Sequence, residues 1–509
     1  MSSSKELPAD KALVKLMNKA RQERNQMHTY INECYEFALL DDRQMINEHT
    51  TIGQAREDDV FDVTFAEAVE DFASTQQDDF TPDYQPWVKI SANAEGLSTT
   101  DEAALKEGLA AWEERLYELI NGTSFYEACE AAYKDTGISI GAIAIPFAEA
   151  SKPVKPFPVY MSNLLVLQDA SGDIYGKWYE LEMTKDQIKE KLPDSVGAIS
   201  GMVPAFRRAK GDQLFNVIQG NHRDYGKEGA VWKSDLVVAN KVIRSKVIDP
   251  DAPPLLHILR WDRGQTTAWP FGPAKKALPN ARILDELGYN NLLHLSYASK
   301  VAISYENDGQ QNFEGGIEPG GAYPRRVGSR PPDIMTPGSK VSDDFDKDQL
   351  RMAIRKAMFV DEPEQKGKTP PTTVQWMDER AQRLRRKAKR RPYREFVLPV
   401  IQRFSYVFGQ RGDLPDIKVG DKIYTVEFLS PMAQTSDANA ASAGIQLLQA
   451  IVSTLGEAGL ASVDAYKTAV NLQEKLGDKT IVLTEPDEQG SLIQEMLGQG
   501  RNIVRDGPA

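Results

Sequence analysis

Apolar residues recur at helical spacing in several segments of this chain. The pattern is clear over residues 10–40, from Glu102 to Lys134, and from Leu278 to Lys300, where polar residues fill the intervals. It returns from Asp343 to Phe359, with acidic residues in the first turn and basic residues in the last, as the helix dipole favours. Each of these four segments is predicted to be helical.

The longest helical pattern begins near Thr373 and keeps one narrow apolar face. Pro392 interrupts it before Phe396 and Phe404, so a kink or a break is expected there. The last 70 residues or so are also expected to be mostly amphipathic helix.

Strand patterns lie between the early and late helices. The β-branched run from Ile138 to Phe147 predicts a buried strand, and further candidates occur at LFNVIQ, AVWKSDLVVANKVI and LLHILRW. Thr184 and Gln187 have capping-box spacing and predict a short helix after the strand-rich FPVYMSNLLVLQDASGDIYGKWYELEM. These patterns indicate the α+β class, with one domain extending to about residue 270.

A Gly- and Pro-rich insert of about forty residues separates the helices at 278–300 and 343–359. Short strands such as VAISY and DIM must be joined by turns there. The simplest arrangement is an antiparallel helix pair with the insert at its tip. A stretch before residue 102, containing DDFTPDYQPWVKI, is expected to be acidic and irregular.

Composition adds that this is an ordinary globular chain, because 41% of its 509 residues are hydrophobic and 27% are charged. No apolar run approaches the roughly 20 residues that cross a bilayer, and MSSSKELPADK lacks the apolar core of a signal peptide. A cytoplasmic compartment and no membrane partner are therefore expected. Cys34 and Cys129 lie within apolar helical patterns, so both are predicted to be core residues.

Charge is distributed unevenly. The chain carries −13, yet residues 378–395 hold nine Lys/Arg and three Asp/Glu, a balance of +6 that leaves −19 on the other 491 residues. Such asymmetry suits a local contact with a polyanion. The cations in the basic cluster are Arg380, Arg383, Arg385, Arg386, Lys387, Lys389, Arg390, Arg391 and Arg394. They are expected either to lie near a polyanion or to pair with carboxylates such as those of residues 56–71, within one chain or between copies of it.

Enzymatic readings find no support in the residues. Gly367–Thr369 resembles the end of a phosphate-binding loop, but Glu362 stands where that loop needs its first glycine. The five histidines are scattered without a metal-binding spacing. No catalytic residue, cofactor or metal site is predicted.

Several stretches, in the same order along residues 10–480, resemble the portal (head-to-tail connector) proteins of short-tailed bacteriophages. They are DDFTPDYQPWVKI, LLVLQDASGDIYGKWYELEMTKDQIKEKL, RWDRGQTTAWPFGPAKKALPNARILDELGYNNLLHLSYASK, PPTTVQWMDERAQRL and EFLSPMAQTSDANAA. Two features depart from that pattern: the basic run is dense for its position, and the C-terminal region is short.

The resemblance implies an α+β portal-type fold with six kinds of part. They are a mixed α/β wing (1–270), an antiparallel stem helix pair (271–300 and 341–359), a small β-rich clip (301–340), a tunnel loop (360–372), a long kinked tunnel helix returning to the wing (373–433), and a helical crown (434–509).

The resemblance also implies a structural function. Such a protein forms a homo-oligomeric ring, usually of twelve copies, at one capsid vertex, and double-stranded DNA passes through it during packaging and ejection. The clip would dock the terminase and later the tail adaptor protein; its candidate docking residues are Tyr323, Arg325, Arg326 and Arg330. Major capsid and scaffolding proteins, and internal core or ejection proteins, are further implied partners. Assembly would take place in the host cytoplasm, nucleating the procapsid, and the mature protein would reside in the virion.

Candidates for contact with DNA are Lys366 and Lys368 in the polar loop, and Lys347, Arg351 and Arg355, which lie four residues apart on one helix. The alternative for the helical cations is pairing with Asp343, Asp344, Asp346 and Asp348 or with a neighbouring subunit. An alternative function is a non-ring, DNA-binding structural virion protein that uses the basic helix 380–394.

Overall fold

The computed structural model describes most of the first 415 residues and short pieces beyond them. The described residues are 9–39, 60–91, 99–148, 152–226, 229–249, 252–264, 266–299, 302–304, 333–335, 344–360, 391–415, 418–419, 422–423, 427–429, 444–449, 453, 468–469 and 471–472. The chain divides into two compact units, one of residues 1–85 and 110–416 and the other of residues 86–109 and 417–509.

The helices, in chain order, are α1 Ala9–Gln26, α2 His28–Ala38, α3 Thr64–Phe80, α4 Thr99–Asn121, α5 Phe125–Ile138, α6 Lys185–Lys191, α7 Val196–Met202, α8 Pro204–Arg208, α9 Ala274–Ser299, α10 Asp344–Ala357 and α11 Leu398–Arg411.

The strands are β1 Lys89–Ser91, β2 Ile140–Ala144, β3 Phe157–Pro158, β4 Leu164–Gln168, β5 Ile174–Thr184, β6 Leu214–Gly226, β7 Gly229–Val238, β8 Lys241–Val247, β9 Leu256–Arg260, β10 Ala302–Ser304, β11 Asp333–Met335, β12 Lys418–Val419, β13 Lys422–Ile423 and β14 Glu427–Leu429. The mixture of helices and antiparallel sheets confirms the α+β class.

The early helical patterns are present but interrupted. The segment 10–40 is two helices that meet at Met27, and the segment from Glu102 to Lys134 is α4 and α5, separated by a turn at residues 122–124. Periodicity alone does not register such breaks, because the apolar face continues across them.

The expectation of an irregular stretch before residue 102 was wrong over α3. Its core face includes Phe65, Val69, Phe72 and Phe80, all buried and spaced as a helix requires. The acidic residues between them hid this pattern.

Five strands form an antiparallel meander in the order β4-β5-β6-β7-β8. Side chains alternate between its faces: Leu165 and Leu167 pack with α1, whereas Leu164 and Val166 join the main core. The β7–β8 hairpin closes through Ala239 and Asn240 at positive φ (47° and 61°), the conformation of a two-residue turn that suits the sheet twist. The capping box on α6 is present as predicted.

A second sheet, β3-β2-β9, lies in the main core, and all five residues of β2 are buried. The same core contains α2, α3 and residues from α9 and α10. The N-terminal half of α9 and the C-terminal end of α10 pack into it, while β10 and β11, which adjoin their other ends, pair with each other. The two helices therefore run antiparallel, as expected.

The helix does not end at Pro392. Residues 391–392 are helical, a π-helical turn follows at Tyr393–Val397, and α11 continues from it. The helix is therefore locally irregular next to Pro392, as expected of a kink, and it continues beyond that turn. The predicted helix over 373–390 lies outside the described residues.

In the second unit, β1 pairs with β14 and β12 with β13, both antiparallel. Residues 444–449 are helical, in line with the pattern expected for the C-terminal region.

Candidate functional site

Three predicted cations lie along one side of α10. Lys347, Arg351 and Arg355 follow each other at intervals of four, so adjacent members are separated by about 6 Å along the axis. This row borders the core-facing stripe, where Ile354 and Met358 are fully buried. The row therefore faces the edge of α3, and the structure gives each cation a different environment.

Arg351 is held by a carboxylate distant in sequence. Its Nη2 and Nε donate to Oδ2 of Asp62 at 2.8 and 3.2 Å, and its Nη1 lies 3.3 Å from Asp348. The Asp62 side chain is only 9% exposed, and its Oδ1 accepts the backbone N–H of Thr64 at 3.0 Å. Burial disfavours the ionised form, but the hydrogen bonds from Thr64 and Arg351 outweigh it, so the pKa of Asp62 is lowered.

Arg355 and Lys347 are bound less tightly to other side chains than Arg351 is. Arg355 Nη2 lies 3.4 Å from Glu67 Oε2, and both side chains are about half exposed (51% and 53%), so the pair contributes little to stability. Lys347 makes no hydrogen bond or ion pair with any residue that the structure describes. Of the predicted partners, Asp348 pairs with Arg351, while the side chains of Asp343, Asp344 and Asp346 are not among those that the structure describes.

The segment 60–67, whose Asp62 binds Arg351, also contacts α9. The backbone N–H of Phe61 donates to Asp285 Oδ1 at 2.6 Å, and its ring lies 5.2 Å from that of Tyr289. Gly288 permits this approach, because a Cβ there would lie 2.9 Å from the Phe61 Cβ. Residues 60–67 thus tie the helix pair α9/α10 to α3, beside a shallow groove of about 430 Å³.

The acidic residues of 60–71 therefore meet α10, where the sequence had suggested the basic cluster as their partner. Asp62 and Glu67 bind Arg351 and Arg355 within one chain. Of the basic cluster, the structure describes Arg391 and Arg394. Arg391 lies 3.4 Å from Asp262 and 3.9 Å from Glu395, and Arg394 is exposed.

A buried ion pair that the sequence did not reveal anchors the π-helical turn. Arg260, whose side chain is 1% exposed, donates through Nε and Nη2 to both oxygens of Glu395 at 3.0 and 2.9 Å. It also contacts Gln168 Oε1 and the Gly172 carbonyl, each at 3.3 Å. In the sequence, the one sign of this ion pair is that a charged residue, Arg260, ends the apolar run LLHILR. This bidentate geometry fixes the start of α11 against β9.

The remaining predicted site residues lie outside the described residues. They are Lys366 and Lys368, the cluster members Arg380, Arg383, Arg385, Arg386, Lys387, Lys389 and Arg390, and the clip residues Tyr323, Arg325, Arg326 and Arg330. Their proposed contacts stay predictions.

Both cysteines are free and buried, as expected for core residues, and burial raises the pKa of each thiol, that of Cys34 to about 12. Within the described part of the chain, no group of three His, Cys, Asp or Glu side chains is arranged to hold a metal ion. None of the described helices has the length and apolarity to span a bilayer.

In the described part of the chain, an antiparallel helix pair is thus joined by ion pairs to an α+β body. The family model for the bacteriophage head to tail connecting protein matches residues 10–480, and the chain belongs to this family. Among solved structures, one similar chain is from the "Virion of native gene transfer agent (GTA) particle", with 13% identity and a TM-score of 0.34, over 87% of this chain and 92% of that chain. No match was found among curated proteins.

Proposed function

We propose that this head-to-tail connecting protein is a portal protein: a homo-oligomeric ring, of about twelve copies as in similar proteins, at the unique vertex of a phage capsid. Membership of the connector family carries the proposal. The helix pair α9/α10, with the β10–β11 pair at its far end, supports it, because such a pair can project an insert away from the body.

The ring would conduct double-stranded DNA during packaging and ejection. A conduit must let a polyanion slide, so acidic walls with sparse cations suit it better than dense phosphate binding. On α10, Lys347 and Arg355 retain capacity for phosphate, whereas Arg351 is committed to Asp62. Lys366 and Lys368 remain the candidate contacts in the tunnel loop.

The insert would dock the terminase during packaging and the tail adaptor afterwards. Contacts with major capsid and scaffolding proteins, and nucleation of the procapsid in the host cytoplasm, follow from the same assignment, as does final residence in the virion. Internal core or ejection proteins would be further neighbours. We assign the chain no enzymatic activity, in keeping with a structural family.

Mass measurement and negative-stain imaging of the purified protein test the proposal. A particle of about twelve subunits with a central hole is the expected result. A monomer or dimer that binds duplex DNA tightly at moderate salt would instead support a non-ring DNA-binding virion protein using residues 380–394.

A further inference from the structure

Charges on strands β5–β8 are sorted between the two faces of the sheet. Trp178 pairs with Gly220, and Gly220 with Asp235, so these three residues share one face. Alternation along the strands places every carboxylate of β5–β8 on that same face. These carboxylates are Glu180, Glu182, Asp224 and Asp235. The opposite face of the four strands contains none.

That opposite face carries five cations; Lys241 lies at the hairpin end of β8, opposite Val238, and the other four lie closer together. One cross-strand row runs Lys177–Asn221–Ser234–Lys246, and the neighbouring positions hold Arg223 opposite Trp232 and Arg244 opposite Leu236. Four strands span about 14 Å, so the cations share a compact area. We call Lys177, Arg223, Arg244 and Lys246, with Trp232 and Tyr225, the cationic sheet face.

None of the four cations makes a hydrogen bond or ion pair with any residue in the described part of the chain. Lys177 Nζ lies 5.8 Å from the Trp232 ring centroid, and the Arg223 guanidinium 5.7 Å from that of Tyr225. Arg244 is half-buried, and its Nε is buried without an acceptor.

On the carboxylate face, by contrast, charged side chains are paired. Glu180 is bound by Arg21 and Arg24 at 2.7 and 2.6 Å, and Lys233 pairs with Asp224. The unpaired cations are therefore specific to one face. Buried donors without acceptors are costly, so a missing acceptor is the simplest explanation of this arrangement.

How far each cation lies below the surface indicates which kind of partner could supply the missing acceptor. Arg223, Lys246 and Tyr225 are exposed, but Lys177 lies beside Trp232 and Arg244 is recessed. Asp and Glu side chains project from a protein surface and reach recessed donors, whereas the phosphates of a duplex lie on a smooth cylinder. An acidic protein surface is thus the better fit.

The chain itself supplies carboxylates in excess of cations, since its net charge is −13. We propose that the cationic sheet face binds a carboxylate-rich surface of a second copy of this chain. This inference rests on the proposed ring assembly and names one of its contacts. Pairing of this kind lets acidic protomers associate without mutual repulsion.

Charge reversal at the two exposed cations tests the proposal. The variant Arg223→Glu/Lys246→Glu changes the charge by −4, as does a control, Arg115→Glu/Lys189→Glu, at exposed helical positions. Mass photometry over a concentration series gives the concentration at which half of the protein is assembled. We expect it to rise by about tenfold or more for the sheet variant and less than about twofold for the control, because charges at an interface govern association.

The outcomes separate this inference from the ring itself. A wild-type protein that stays monomeric overturns both proposals. Rings of wild type and sheet variant with equal assembly midpoints overturn only the contact proposed here. Normal assembly with weaker binding of a 30-base-pair duplex assigns the face to nucleic acid and also overturns it. Should the variant unfold, Arg223→Gln/Lys246→Gln replaces it, and an unchanged midpoint then counts against the proposal.

Discussion

The indole Nε1 of Trp178 donates a hydrogen bond of 2.8 Å to Oδ2 of Asp235, although β6 lies between their strands. The indole crosses β6 at Gly220, where a Cβ would lie 2.5 Å from the Trp178 Cα and 2.2 Å from the Lys177 carbonyl oxygen. Asp235 also accepts from Ser245 at 2.7 Å and lies 2.5 Å from His222 Nδ1. This buried carboxylate therefore joins four strands.

The variant Gly220→Ala should lower the free energy of unfolding by about 1–3 kcal/mol, because its new methyl group meets backbone atoms that cannot move independently. Urea denaturation measures the change. Gly197→Ala is the matched control: no atom lies within 4 Å of its added Cβ, and it stands in α7, so a gain of about 0.4–1 kcal/mol is expected. Equal stability of the two variants would contradict the tight crossing at Gly220.

Loss of the cation from the Arg260–Glu395 pair should be severe. Arg260→Met leaves Glu395 without its bidentate partner and is expected to cost about 3–5 kcal/mol, measured from the urea midpoint. The double variant Arg260→Met/Glu395→Met should recover much of this loss, because no uncompensated charge remains. Arg394→Met, at an exposed position in the same turn, should change stability by less than about 0.5 kcal/mol. A double variant as unstable as the single one would show that packing, and not charge, makes the pair necessary.

Substitutions of the three cations of α10 should differ in their effect on the free energy of unfolding. Arg351→Gln removes the partner of a carboxylate that is 9% exposed and should cost about 1–3 kcal/mol. Lys347→Gln and Arg355→Gln should each change stability by less than about 0.5 kcal/mol, since neither cation is held tightly. Thermal unfolding of the three variants side by side gives the comparison. A stable Arg351→Gln protein would refute the tie between α10 and α3.

Stability should also fall at mildly acidic pH through His257. This side chain is fully buried, neither ring nitrogen has a hydrogen-bond partner among the described residues, and burial, with the charges of Lys177 and Arg403, lowers its pKa well below 6.5. The unfolded chain binds the proton more readily, so this contribution is complete above about pH 6.5 and is lost as the pH falls below it.

The expected slope is at most about 1.4 kcal/mol per pH unit for this one group. Urea denaturation between pH 7.5 and 5.5 measures it, with His257→Leu as the comparison. The difference between wild type and variant should widen in favour of the variant on acidification. Parallel pH profiles would remove His257 as the cause.

Most elements of secondary structure were predictable from local patterns. The buried strand at β2, the capping box of α6, and the helices at α9 and α10 follow from residues within one or two turns of each other. The failure at α3 also has a local cause, because acidic residues between its apolar positions obscured the helical pattern.

The candidate site was only partly predictable. Arg351 and Arg355 were identified as cations on one helix face, but their partners Asp62 and Glu67 lie 289 and 288 residues away. The partner of Arg260 is 135 residues away. Periodicity within a helix or strand does not indicate which residues so far apart in the sequence will pair.

By itself, then, the sequence determined the class of the fold, the antiparallel helix pair with its insert, and membership of the connector family. The tertiary structure decided which cations are committed and which are free: Arg351 and Arg260 are bound to carboxylates, while the cationic sheet face has no acceptor in the described part of the chain. The physical reason is that helical and strand periodicity depends on neighbouring residues, whereas charge pairing depends on how distant elements pack.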